Sequence, residues 1–217
     1  MIGKLLKKEL SLCLHPAAVL MVFLGALVLA PNYPYAVTFF YMTLGVFFIC
    51  LEGRENHDVT FTMTLPVAKG DVVTARFLFV VLLELLQLLV VAAFLVLRAR
   101  ILPVPNAAGM DANLTLLGEG FLFFGLYHLV YFPSYYRDVS KVGSSFVKAC
   151  IFSFLFVAVD IVLCYTLPLF RDVLDTPDPQ HMGEKLAFFF AGLVCWLLFT
   201  LLALRISRRR FERLDIR

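Results

Sequence analysis

The sequence predicts an all-α membrane protein with six transmembrane helices, and three observations carry that prediction. First, the 217 residues are 61% hydrophobic and 16% charged, with a mean hydropathy of +0.89. A water-soluble domain is about 45–50% apolar and about 25% charged, so this chain lacks the polar groups to cover a surface in water. Second, six apolar runs are long enough, or nearly so, to cross about 30 Å of hydrocarbon. Third, the basic residues gather on alternate connections between those runs, as the positive-inside rule requires of a multi-pass protein.

Taken in order, residues 1–14 open with "MIGKLLKKELSLC". Ile2, Leu5, Leu6, Leu10 and Cys13 recur at helical spacing while Lys4, Lys7, Lys8 and Ser11 fall elsewhere, which predicts an amphipathic helix lying along the membrane surface. The residue before a proline resists helix, so His15-Pro16 bends the chain into the first span. A cleaved signal peptide ending at "ALVLA" is the competing reading; a proline directly after that stretch and five further spans argue against it.

The spans are expected near 16–31, 35–51, 74–98, 113–132, 146–168 and 186–205, within one membrane domain over 15–205. The first two are short, and "PNYP" between them reads as a tight turn; the first borrows length from Leu10 to Leu14. The third is the longest, with Asp71 as its N-cap and no helix breaker before Pro103. Residues 168–185 form the longest loop on the external side, and 206–217 a basic tail.

Orientation follows from the charges. The N-terminus, the second and fourth connections and the tail hold fifteen Lys and Arg, against four (Arg98, Arg100, Arg171 and Lys185) on the other side. Both termini are therefore expected to be cytoplasmic. Tyr33 and Tyr35 at the outer edge, and Tyr131, Tyr135 and Tyr136 at the inner edge, suit the interfacial preference of amphipathic rings. The six arginines of "RISRRRFERLDIR" directly follow a span, so anchoring to acidic lipid headgroups, not nucleic acid, explains them.

Few residues suggest chemistry. The five cysteines form no CxxC pair and the four histidines no HExxH, so neither a disulfide framework nor a metal site is expected. Within the spans, Glu84 and Gln87 lie one turn apart on the third, Asp160 is near the middle of the fifth, and Glu119 and His128 flank the fourth. An ionised carboxylate at mid-bilayer costs on the order of 3 kcal/mol, so such groups face protein or water. They either line a substrate route and trigger its opening, or act as interhelical hydrogen-bonding glue worth about 0.6 kcal/mol per contact.

The connection "RENHDVTFTMTLPVAKGDVVTAR", residues 54–76, is the longest polar interruption before Arg98. Val59 to Leu65 alternate as a strand would, but a lone strand beside a membrane leaves its backbone groups unpaired. A short helix capped by Asn56 or Asp58 is the better reading, with Val59 and Met63 on one face and Pro66 ending it. Any two spans need a connector; a helix held off the bilayer with apolar side chains at its tip is also a handle for a partner.

"GRENHDVTFTMTLPVAKGDVVTARF" resembles the corresponding loop of type 2 ABC exporter permeases, with Glu52, Leu65, Pro66, Val67, Lys69, Val72 and Val73 at matching positions. "MIGKLLKKEL" and "PNYPY" are similar to the small bacterial members that export amphipathic or antimicrobial peptides. The family usually carries a second basic residue after the Pro-Val; here Lys69 stands alone before Gly70. The resemblance implies that residues 54–66, within a coupling loop of 52–74, form the coupling helix that sits in a groove of an ATPase subunit. Val59, Phe61, Met63, Leu65, Pro66 and Lys69 would carry that coupling. It further implies an interface helix at the N-terminus, short helices or re-entrant segments in 168–185, and a second permease copy. Glu84, Gln87, Glu119 and Asp160 become candidates for the substrate pathway and its gating.

No GxxxxGK[ST] occurs, so any ATP and magnesium would be held by a separate ATPase subunit and this chain needs no cofactor. The expectation is a multi-pass subunit of the bacterial cytoplasmic membrane that exports peptides, lipids or drugs and has no catalytic residue of its own. A membrane-embedded enzyme is the alternative, but it needs two in-span aspartates, a Ser-His pair or HExxH, and Asp160 is the only clearly mid-span Asp. A non-catalytic assembly or substrate-capture subunit gives no reason for the 54–76 loop. Copurification of an ATPase separates these classes.

Overall fold

The computed structural model describes residues 1–102 and 104–214. Pro103, expected to stop the third span, and Arg217 of the tail lie outside the described residues. Eight α-helices occur among the described residues, and no strand.

α1 (Ile2–Leu12) ends at Cys13, and α2 (Pro16–Phe23) leaves it at 87°. His15 makes that corner: its backbone is extended, as a residue before proline prefers, and its Nδ1 accepts the Ala17 N–H at 3.0 Å. The first span therefore gains no length from Leu10 to Leu14. It continues instead as a 3₁₀ stretch, Leu24–Leu29. The Pro31–Pro34 turn follows, with Asn32 in the left-handed region (φ 53), and leads into α3 (Val37–Glu55).

α4 (Asp58–Met63) is a short helix, and α5 (Lys69–Ile101) a long one. The N-cap of α5 is Ala68, three residues before the expected cap; Asp71 lies in its first turn, where a carboxylate suits the positive helix end. α6 (Leu114–Tyr135) is capped by Asn113, whose side chain accepts the Leu116 N–H at 3.3 Å. α7 (Val142–Thr166) is followed by a π-helical turn, Phe170–Leu174, and then α8 (Met182–Glu212). Residues 206–212, expected as a separate tail, are the last two turns of α8. Five helices are long and apolar enough to cross a membrane, or six spans if the bent pair of α1 with α2 and its 3₁₀ extension is one of them.

The connections sort into two faces. On one, Lys69 Nζ donates to the Leu214 carbonyl at 2.6 Å, Arg54 to the Ser140 carbonyl at 3.5 Å, and Arg210 to the Pro133 carbonyl. This face carries α1 and Leu214, the last described residue. On the other, Asn106 Nδ2 donates to the Tyr33 carbonyl at 2.9 Å, and the Asp111 N–H to Asp175 Oδ1 at 2.5 Å.

α6 is the central helix: Phe123, Phe124, Tyr127, Tyr131 and Phe132 are fully buried. α5, α7 and α8 turn large apolar side chains outward, among them Leu89, Ile151, Phe154, Leu155, Phe190 and Leu198. So much exposed apolar surface requires lipid or another protein around it.

α6 and α8 meet backbone to backbone. A Cβ on Gly192 would lie 2.3 Å from the Gly118 carbonyl oxygen, and one on Gly118 would lie 2.9 Å from the Phe189 Cα. Small residues at such a crossing let helices approach where no hydrophobic force drives them together. Gly192→Ala should therefore destabilise the protein by about 3 kcal/mol, near the top of the overpacking range. Gly183→Ala, in the same helix with nothing within 4 Å, should be neutral or slightly stabilising. Thermal unfolding of the two variants in detergent checks the contrast.

Candidate functional site

α4 projects from the face that carries α1 and Leu214, and charges recruited from two other helices fix its position. Asp58, its first residue, accepts from Lys8 Nζ at 2.7 Å and from Arg76 at 2.8 Å. Arg76 also pairs through Nε with Glu9 Oε2 at 2.6 Å, and Lys8 lies 3.2 Å from Glu9. Lys8 further donates to Thr62 Oγ1 at 3.1 Å. Lys8 and Glu9 stand on α1 and Arg76 on α5, so one network ties α1, α4 and α5 together.

The capping expectation fails for α4. His57 holds the N-cap position in a left-handed conformation (φ 52) without a side-chain cap bond, and the Asp58 carboxylate is spent on Arg76 and Lys8. Val59 and Met63 share a face, but that face packs against the core. The tip is made by Phe61, 65% exposed, and Leu65, 43% exposed, with Pro66 beside them. Lys69 is half-buried and bound to the Leu214 carbonyl. A cavity of about 190 Å³, lined by Leu12, Glu52, Asn56 and Phe61 among others, opens beside the tip.

Glu9, Cys13 and Asp58 bring three possible ligand atoms within 4.8 Å of one another. Both carboxylates are already neutralised by Arg76 and Lys8, and burial pushes the Cys13 thiol up to about 12. A protonated thiol and two occupied carboxylates make a poor cation site.

The in-span polar residues do not converge on one site. Glu84 and Gln87, one turn apart on α5, point to different neighbours. Gln87 Nε2 donates to the Met21 and Thr38 carbonyls, both at 3.1 Å, joining α5 to α2 and α3. Glu84 Oε1 lies 2.9 Å from His128 Nε2, and His128 Nδ1 lies 2.8 Å from Thr200 Oγ1. This hydroxyl–imidazole–carboxylate chain joins α5, α6 and α8. Its imidazole is fully buried, and its hydroxyl lies within a helix. Glu119 and Asp160 are neighbours, both buried, and Asp160 Oδ1 accepts from Cys164 Sγ at 3.6 Å.

Above that pair, Asp175 accepts the Asp111 N–H, and burial first, then the nearby Asp111 and Asp160, pushes its carboxyl up to about 7. An acid whose folded pKa lies above its ordinary value of about 4 stabilises the fold below that value and loses the contribution as pH rises through 7. The thermal midpoint should fall between pH 5 and pH 8 by on the order of 2 °C. Asp175→Asn, which keeps the acceptor oxygen, should remove that part of the slope.

The Arg76–Asp58–Glu9 network was not foreseen from the sequence. One signal for it exists: Leu5, Glu9 and Cys13 are spaced by four, so an acid sits on the apolar stripe of α1.

A family model described as ABC-2 family transporter protein matches residues 4–212. No curated protein and no solved structure matches the chain.

Proposed function

Because this chain belongs to the ABC-2 family of transporter proteins, we propose that it is the permease subunit of an ATP-driven exporter and works with a separate ATPase subunit. The observation that best supports this reading is α4: an apolar tip of Phe61 and Leu65, exposed to solvent and held rigidly to a span by Arg76 and Asp58. A docking element must be both accessible and stiffly connected, or the partner's motion is lost in the linker.

In this reading α4 is the coupling helix and Phe61, Leu65 and Pro66 contact the ATPase. Val59 and Met63 fasten the helix from beneath, and Lys69 holds the C-terminal end against the start of α5. ATP and magnesium bind the partner. Closing of the partner drags α4, and the Asp58–Arg76 pair passes the pull directly to α5 and, through Glu9, to α1. A second permease copy covers part of the apolar surface of α5, α7 or α8, and lipid covers the rest. Both termini are cytoplasmic, in a bacterial cytoplasmic membrane. Gln87, the Glu84–His128 pair and the Glu119–Asp160 pair are the polar hinges between spans and the gating residues of the route. Cargo is an amphipathic peptide, a lipid or a drug.

The test is a pull-down of the tagged protein from mild detergent, with mass spectrometry and an ATPase assay on the eluate. An ATPase subunit recovered in comparable amount supports the exporter. A clean, inactive eluate under several detergents removes it.

A further inference from the structure

Arg98 is 3% exposed at the end of α5 opposite α4, and its guanidinium makes no ion pair within 4.0 Å among the described residues. Its guanidinium donates to the Val28 carbonyl at 3.1 Å, the Leu29 carbonyl at 3.3 Å and the Val104 carbonyl at 3.0 Å, and lies 5.2 Å from the Tyr35 ring centroid. All four partners are neutral. Arg100, two residues on, is exposed, and among the described residues neither arginine has a carboxylate oxygen within 4.0 Å. Both line a cavity of about 460 Å³ between the end of α5, the loop that follows it and Pro177-Asp178. That volume suits a small ligand or a lipid headgroup.

Two aspartates also line the cavity, but each is engaged. Asp178 accepts from Lys185 Nζ at 2.9 Å and from the Leu114 N–H at 3.0 Å. Asp111 accepts from the Ala112 N–H at 2.7 Å; burial pushes its carboxyl above the usual range, while that hydrogen bond and the charge of Arg98 pull it back. The remaining wall is apolar, with Val96 and Leu102. Val96 stands on the same helical face as Leu89, Leu86 and Leu82, all exposed, so an apolar strip runs from the cavity down α5.

A buried cation, a free arginine beside it and a greasy strip leading away define an anionic head with a hydrocarbon tail. We propose that this cavity binds a phospholipid of the leaflet on that face, with Arg98 and Arg100 on its phosphate and an acyl chain along the Val96–Leu82 strip. Arg98 supplies a fixed positive field, since its hydrogen bonds hold it in place; Arg100 supplies the movable bidentate contact. The site needs no ATPase and no transport, so it stands or falls apart from the exporter reading.

The full chain, delipidated in detergent and titrated with phosphatidylglycerol, is read by native mass spectrometry. Wild type should retain the lipid, and Arg100→Gln should weaken retention about tenfold or more, the effect of one charge-assisted hydrogen bond. Arg171→Gln, on the same face but paired with Asp172, should retain it as wild type does. Unchanged thermal unfolding of Arg100→Gln shows that the fold is intact. Equal retention by Arg100→Gln and wild type overturns the proposal. Displacement of the lipid by millimolar inorganic phosphate reassigns the cavity to a soluble anion and overturns it as well.

Discussion

Phe61→Asp should abolish recovery of the ATPase in the pull-down while leaving insertion and yield unchanged. Phe61 is 65% exposed, so the substitution sits in the class of surface changes that move stability by less than about 0.5 kcal/mol. At a docked interface the same ring is an aromatic anchor, and removing such an anchor costs about 2 kcal/mol or more, a loss of roughly thirtyfold in affinity. The aspartate adds an unpaired charge to the loss. Met63→Asp makes the informative comparison: its side chain packs against the core, so it should lower yield as well as association. An ATPase recovered in full with Phe61→Asp would show that α4 docks nothing.

Arg76→Met should be the most damaging single substitution in the charged network. Arg76 holds two carboxylates, and its side chain and that of Glu9 are only 5% and 2% exposed. Removing one partner of a buried ion pair costs about 3–5 kcal/mol, because the remaining charge has neither a partner nor water. A drop of about 3 kcal/mol corresponds to roughly 10 °C in the thermal midpoint of a chain this size. Lys8→Met should cost much less: Lys8 is more exposed, and Arg76 still neutralises both acids. Adding Glu9→Gln and Asp58→Asn to Arg76→Met should recover part of the loss, since the stranded charges go with the cation. Amide hydrogen exchange over residues 57–66 reads the same event locally. Equal midpoints for Arg76→Met and Lys8→Met would remove Arg76 from its central place.

The apolar runs were legible because a span needs hydrocarbon-compatible composition over its whole length, and the corner at His15-Pro16 because proline constrains the residue before it. The ends were less legible. α5 begins at Lys69 and α8 runs to Glu212, since helices continue beyond the hydrocarbon wherever no breaker intervenes and lysine and arginine are good helix formers. Pro66 and the polarity around it revealed α4, but not which side faces outward. A six-residue helix has little intrinsic preference for its rotation, and here Asp58 sets it by reaching two cations on α1 and α5. The in-span carboxyls were visible individually; their partners were not. His128 lies 44 residues from Glu84, and nothing local in either segment specifies the pairing.

The bend at His15 also bears on biogenesis. α2 and its 3₁₀ continuation, Pro16 to Leu29, rise only roughly 24 Å, less than the approximately 30 Å of hydrocarbon that a full span crosses. A nascent segment that short has a weak claim to leave the translocation channel alone. α3 follows across a tight turn, and Gln87 of α5 later pins both helices through the Met21 and Thr38 carbonyls. The first span should therefore partition into lipid as half of a helical hairpin with α3 and become fixed only after α5 has emerged from the ribosome.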